Sequence, residues 1–232
     1  MSRRALSALL LGLWLALPGG AADPPPERAA DSTWYAQAVT TGEGGLSVTH
    51  FWSSGPLLRA ETVIGGRKIV SLVDRESYLA FDALGGQGLR IARAPGAIAQ
   101  DAGRLRPFGN ELDVLIRQGA EKVRDETLHG ALCEVFRVTD QRGRRELWVL
   151  KEEPRLPVRL EIFERTRGSK TRTEYINWKI GLPIPQRFFA PHPAIDLQSL
   201  SLERYVALTE ERGSVGPVPV LYGDLLFGPR KR

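Results

Sequence analysis

From residue 46 onward the chain alternates. In 46–53, "LSVTHFWS", Leu46, Val48 and Trp52 fall on one side. In 57–65, "LLRAETVIG", Leu58, Ala60, Thr62 and Ile64 oppose Arg59 and Glu61. "RKIVSLVD" and "ESYLAFD" follow, joined at Asp74-Arg75, with a hairpin turn at Gly65-Gly66 before them. A period of two is the mark of a strand with one wet and one dry face, so these runs predict an antiparallel meander. A second series starts at Glu121 and continues through "ALCEVFRVTD", "RRELWVL", "LPVRLEIFER" and "KTRTEYINWKI". Gly130, 141–143 and 167–169 are its turns. In 156–165, Val158, Leu160 and Ile162 oppose Arg159, Glu161 and Arg165.

Between the two series the period is lost. Residues 83–108 are rich in Gly, Pro and small side chains, with one short strand expected at 89–92. Long irregular segments of this kind serve as lids or edges. Residues 110–118 predict a helix, with Asn110 as its cap, Leu112, Leu115 and Ile116 on one face and Gly119 as its stop. The prolines of "FFAPHPAIDL" keep 188–197 out of a central strand. An amphipathic helix is expected over 201–210, with Leu202, Tyr205, Val206 and Leu208 on its dry side, before a Gly/Pro-rich apolar tail.

These elements predict a mainly β protein with a few helices. Nine or so strands in one antiparallel sheet must curl to cover their own apolar face. By alternation the inward set is Trp52, Leu58, Ile64, Val158, Leu160, Ile162, Ile176 and Trp178. That set admits two readings: a filled core, or the wall of an apolar cavity. Residues 83–108 and the C-terminal helix are the candidate covers.

The ends change the picture. Arg3 and Arg4 precede the apolar run 5–17, Pro18 and "GGAA", which is the pattern of a signal peptide over 1–22. Residues 23–33 then read as a Pro- and charge-rich disordered linker, 34–191 as the sheet domain, and 192–232 as a C-terminal extension with one amphipathic helix. No Cys sits near the cleavage site, so a soluble periplasmic protein without a lipid anchor is expected. The 32 Lys and Arg exceed the 27 Asp and Glu only slightly and are interleaved with them, which excludes nucleic acid as a partner. Cys133 is the single cysteine and reads as a small buried residue.

Catalytic chemistry is not legible. There is no phosphate-binding loop beyond "GGQG" at 85–88, no nucleophile elbow and no zinc helix. His50, His129 and His192 lack metal-ligand spacing, and Glu152-Glu153 reads as solvated charge. No catalytic residue, metal or cofactor is expected. A hydrolase built from distant residues would leave no such trace.

The strand order resembles a family. "HFWSSGPLLRAETVIGGRKIVSLVDRESYLAFD" is similar to the opening meander of the LolA-like outer-membrane lipoprotein carrier and lipoprotein-sorting superfamily, with Trp52, Arg59 and Glu61 at its Trp and Arg-Xaa-Glu positions. "LWVLKEEPRLPVRLEIFER" resembles its later segment through Trp148, Leu156 and Pro157. "YINWKIGLPIPQRFFAP" resembles its closing strand through Asn177, Ile184-Pro185 and Phe189. The resemblance spans about 34–191. Two features depart from the family: only "ADSTWYAQAVT" stands where its long N-terminal helix is common, and the tail from His192 is extra. It implies an incomplete, open β-barrel with a helical lid and, in function, a non-catalytic periplasmic carrier that holds the acyl chains of a lipid or lipoprotein and moves them between membranes. It further implies an inner-membrane exporter and an outer-membrane acceptor as partners, and Arg59 as a lid contact through backbone carbonyls. The other reading on this fold is a periplasmic sensor or protein-interaction module with a filled cavity.

Overall fold

The computed structural model describes residues 33–101 and 108–228. The expected signal peptide and nearly all of the linker lie outside the described residues. The first meander comprises β1 (Thr33–Gly42), β2 (Gly45–Ser54), β3 (Leu57–Ile64), β4 (Arg67–Val73), β5 (Ser77–Asp82) and β6 (Gln87–Ala92). Two short helices follow, α1 (Pro95–Asp101) and α2 (Glu111–Arg117). The second meander is β7 (Glu121–Leu128), β8 (Ala131–Asp140), β9 (Gly143–Leu150), β10 (Pro157–Glu164) and β11 (Ser169–Ile180). A 3-10 turn (Gln186–Phe189), β12 (Asp196–Leu200), α3 (Leu202–Arg212) and α4 (Asp224–Phe227) complete the chain.

All twelve strands form one sheet in the order β12-β6-β5-β4-β3-β2-β1-β11-β10-β9-β8-β7. The antiparallel pairing of β1 with β11 welds the two meanders together. The outermost strands β12 and β7 do not pair, so the curled sheet stays open, as the sequence predicts. β12 is the one parallel addition, beside β6.

The strand count exceeds the nine or so expected. "ADSTWYAQAVT", which stands where the family's helix is common, lies mostly in β1, at the middle of the sheet. The irregular segment 83–108 contains β6 and α1, so its six residues 87–92 are sheet rather than movable cover, and 102–107 lie outside the described residues. The helix expected over 110–118 is α2, although the Asn110 side chain does not cap it. Ser201 does cap α3, accepting from the Arg204 N–H at 3.2 Å.

Both sheet faces are packed. The main core lies on the concave side, where Trp34, Ala36, Phe51, Leu58, Ala60, Tyr78 and Ile91 are buried. On the convex side Val70, Leu72, Leu79 and Phe81 are covered by Ile195 and Leu197. Cys133 is buried there among Leu128, Val135 and Trp148, as its sequence context suggests. Elsewhere the convex face carries cross-strand ion pairs, such as Arg159–Glu174 at 2.9 Å and Arg172–Glu161 at 2.9 Å.

One turn depends on glycine. A Cβ on Gly143 would lie 1.8 Å from the Phe163 carbonyl oxygen, at φ 149°. Gly143→Ala must therefore part β9 from β10. A loss of roughly 2–3 kcal/mol in urea unfolding is expected, and an unchanged midpoint would contradict this account.

Candidate functional site

The concave face is built around aromatic rings. Phe108 stacks on Trp178 at 5.6 Å and lies 5.6 Å from Phe51, while Trp34 meets Trp178 edge-on at 6.5 Å. Tyr175 and Trp178 share this face although they are three residues apart in a strand. The reason is a bulge: Gln37 pairs with Ile176 and Tyr35 with Lys179, and Asn177 takes φ 57° between them. The Trp178 indole donates to the Pro157 carbonyl at 3.1 Å.

The chain's own C-terminus closes this face. It crosses the convex side, runs along the β6 edge as β12, then returns as α3 and the tail. Leu221, Leu225 and Leu226 are at most 4% exposed in the core. Hydrogen bonds fix the tail's backbone. The Val220 N–H donates to Ser71 Oγ at 2.9 Å, Tyr78 donates to the Leu221 carbonyl at 2.9 Å, and Arg93 Nε donates to the Leu225 carbonyl at 2.6 Å. The Ala94 N–H donates to the Leu226 carbonyl at 2.9 Å.

One carboxylate is enclosed here. Glu111, 9% exposed at the start of α2, accepts through Oε1 from Tyr175 of the sheet and Tyr222 of the tail, both at 2.7 Å. Its Oε2 is buried without a hydrogen-bond partner. Burial pushes both tyrosine hydroxyls well above their ordinary range, and the neighbouring Glu111 charge adds to this. Burial raises the Tyr78 hydroxyl as well.

The structure divides the inward set read from the sequence. Leu58 is buried in the concave core, and Leu160 and Trp178 pack against it. Ile162 follows Leu160 on that side, half-buried opposite Arg145 and Thr171. Ile64 keeps the parity of Leu58 but sits at the end of β3, 47% exposed. Three residues lie on the convex side. Trp52 pairs with Tyr35 and Arg59 and stacks on His50 at 5.5 Å. Val158 is the extra residue of a bulge between Pro157 and Arg159 and packs on the Trp148 cluster. Ile176 faces out by alternation from Tyr175, 38% exposed, and only the bulge beyond it in β11 brings Trp178 inward. Arg59 does reach a backbone carbonyl, that of Phe188 at 2.7 Å, and lies 4.5 Å over the Phe188 ring. That contact ties down the 3-10 turn on the convex side, not a lid over the core. Burial pushes the Glu61 carboxyl up, but hydrogen bonds from Lys68 and Arg59 outweigh it and hold it below the usual carboxylate range.

Sequence reasoning missed Glu111, Arg93 and the tail residues. Glu111 and Arg93 each read as a charged residue beside apolar ones, which surface positions share, and the tail read only as apolar and rich in Gly and Pro.

Two clefts stand out among the described residues. One, of about 580 Å³, lies where the α3–tail junction crosses the ends of β4–β6 and includes Arg67, Asp82, Leu89 and Arg212. The other, of about 340 Å³, lies at the β1–β2 turn beside Arg167. Among the described residues no group of His, Cys, Asp and Glu could hold a metal, and no helix is long and apolar enough to cross a membrane.

An open, curled antiparallel sheet with an apolar concave face is the architecture to compare with known proteins. A family described as "Predicted periplasmic protein (DUF2092)" matches residues 109–202. No curated protein matches the chain in sequence. An uncharacterized conserved protein from Thermus thermophilus shares the fold, with a TM-score of 0.54 at 12% identity, over 75% of this chain and 94% of that one. Two weaker likenesses show no more than a general similarity of form. A domain of Vibrio parahaemolyticus proposed to be an outer membrane lipoprotein-sorting protein has a TM-score of 0.34 at 13% identity, over 71% of this chain and 93% of that one. The Pseudomonas aeruginosa MucA/MucB complex gives 0.44 at 13% identity, over 75% and 62%. The matched family is described as periplasmic, and the Thermus thermophilus likeness shows the fold alone.

Proposed function

We propose that the protein is a non-catalytic periplasmic carrier whose concave face takes up acyl chains of a lipid or lipoprotein, with the C-terminal tail as the resident cover. The observation that supports this reading is the origin of that cover. The aromatic floor of Trp34, Phe51, Phe108 and Trp178 belongs to the sheet and the loop after α1, whereas the cover comes from the last residues of the chain.

The energies favour exchange. Three buried leucines contribute roughly 1.5–3 kcal/mol each and each hydrogen bond about 1 kcal/mol. Ordering the anchored residues 220–226 costs about 1–2 kcal/mol per residue, a total of the same order, so the net hold on this stretch is small. A guest chain gains about 0.8 kcal/mol per buried methylene. A dozen methylenes therefore suffice to replace the tail, and the returning tail helps to expel them.

Protein purified from its native host should yield extractable lipid by mass spectrometry. Leu225→Ala, which loosens the tail, should raise uptake of a fluorescent fatty-acyl probe several-fold. No extractable lipid, with no uptake by either form, would refute the carrier reading.

A second reading draws on the same tail. Its buried hydrogen bonds suit a permanently filled core, and the protein is then a periplasmic sensor or interaction module. That reading predicts a stable protein complex in pull-down and no probe uptake by Leu225→Ala, only lower stability.

A further inference from the structure

The larger cleft joins two chemistries. Its floor contains Leu89, 4% exposed and part of the concave core, and Val215, which packs against that core. Its rim carries Arg67, from the start of β4, and Arg212, from the end of α3. Other arginines on the sheet's convex face are matched by a carboxylate on the same or a neighbouring strand, as Arg59 is by Glu61 and Arg172 by Glu161. Arg67 and Arg212 take part in no ion pair among the described residues. Asp82, the single carboxylate lining the cleft, accepts the Leu84 N–H. The rim is thus net positive and its guanidinium groups are free to bind a ligand.

The cleft also sits where the tail leaves α3. Gly213 (φ 77°) and Gly216 (φ 66°) turn the chain there. A Cβ on Gly216 would lie 2.8 Å from Leu89, so the tail's backbone rests directly on the core at this point. Lifting Val215 and Gly216 would uncover Leu89 and open the cationic rim to the concave core.

We propose that this cleft binds the anionic headgroup, a phosphate or a carboxylate, of an amphiphile whose acyl chain enters the concave face beneath Val215 and Gly216. The proposal rests on the carrier reading and gives it a ligand class. Guanidinium groups match such oxyanions through paired N–H donors, and a charged hydrogen bond contributes on the order of tenfold or more in affinity. Water and salt reach an open rim, so the lower end of that range applies.

The test uses the full chain and compounds of one chain length below their micelle concentrations. Dodecyl phosphate should bind about tenfold more tightly than dodecyl phosphocholine at low salt. The preference should vanish in Arg67→Gln/Arg212→Gln, survive in part when both become Lys, and be untouched by Arg204→Gln, a cation of α3 that does not line the cleft. Circular dichroism would confirm that each variant is folded. Equal binding of the two dodecyl compounds by the unmodified chain, or a preference that persists in the double Gln variant, would overturn the headgroup site and leave the carrier reading standing. Inorganic phosphate binding as tightly as dodecyl phosphate would make the cleft a free-anion site and overturn the proposal too. If no dodecyl compound binds, the headgroup site and the carrier reading fail together.

Discussion

Arg93→Met is expected to lower the free energy of unfolding by about 3 kcal/mol and to release the tail. Arg93 follows β6, and its side chain is fully enclosed. Nε donates to the Leu225 carbonyl at 2.6 Å, and Nη1 donates to the Asp74 carbonyl at 2.8 Å. Asp101 of α1 receives the rest of the guanidinium, with contacts of 2.8 and 3.0 Å. One cation thus joins the tail, the β4–β5 turn and α1. Methionine keeps most of the volume and none of the donors. Breaking a buried ion pair costs about 3–5 kcal/mol. The lower end applies because Asp101 is 31% exposed on its side chain and water can replace its partner. Urea unfolding should show a lower midpoint with little change in slope, and limited proteolysis should cut within 213–228 faster than in the unmodified chain. Arg93→Lys should recover only part of the loss, because an ammonium cannot span three acceptors in different directions. A midpoint equal to that of the unmodified chain would show that the tail is held without this residue.

Arg93 also shows why part of the site was hidden in the sequence. An arginine after a strand reads as solvated, and its burial depends on a tail some 130 positions away. The strands of clean alternation, such as β3 and β10, were legible because bulky residues mark one face and charges the other. β1 was not. Its buried residues include Ala36 and Ala38, too small to carry a period of two, so this central strand was not among those read from the pattern. Facing failed where bulges intervene. A bulge adds one residue to one strand and so reverses the facing of the residues beyond it. This happened at Val158 and between Ile176 and Trp178, and no side chain near either announces it. Trp52 failed for another reason: a large aromatic on the convex face is stabilised by His50, Tyr35 and Phe188, which only the fold brings together. The open sheet itself was legible because so many half-apolar strands can bury one face only by curling.

Alkaline pH should unfold the protein steeply, and the tail's tyrosine should account for a measurable share. Tyr78, Tyr175 and Tyr222 all have hydroxyls whose ionisation is displaced upward, first by burial. In the unfolded chain a tyrosine ionises near pH 10. Above that pH the unfolded state loses protons that the folded state retains. Stability then falls as pH rises, by about 1.4 kcal/mol per pH unit for each such group. Their stabilising contribution is complete below pH 10 and is lost as pH climbs towards the folded values. Three groups together give a slope of about 4 kcal/mol per unit, enough to remove a typical stability of about 5–15 kcal/mol within a few units. Tyr222→Phe removes one of the three and the hydrogen bond to Glu111 Oε1, which Tyr175 still supplies. That variant should be about 1 kcal/mol less stable near neutrality, yet its alkaline limb should be shallower by about one third. The two curves should therefore approach each other as the pH rises. Chemical unfolding between pH 8 and 11.5 reads both quantities. Parallel curves would mean that the Tyr222 hydroxyl ionises equally well in both states, and hence that the tail does not enclose it in solution.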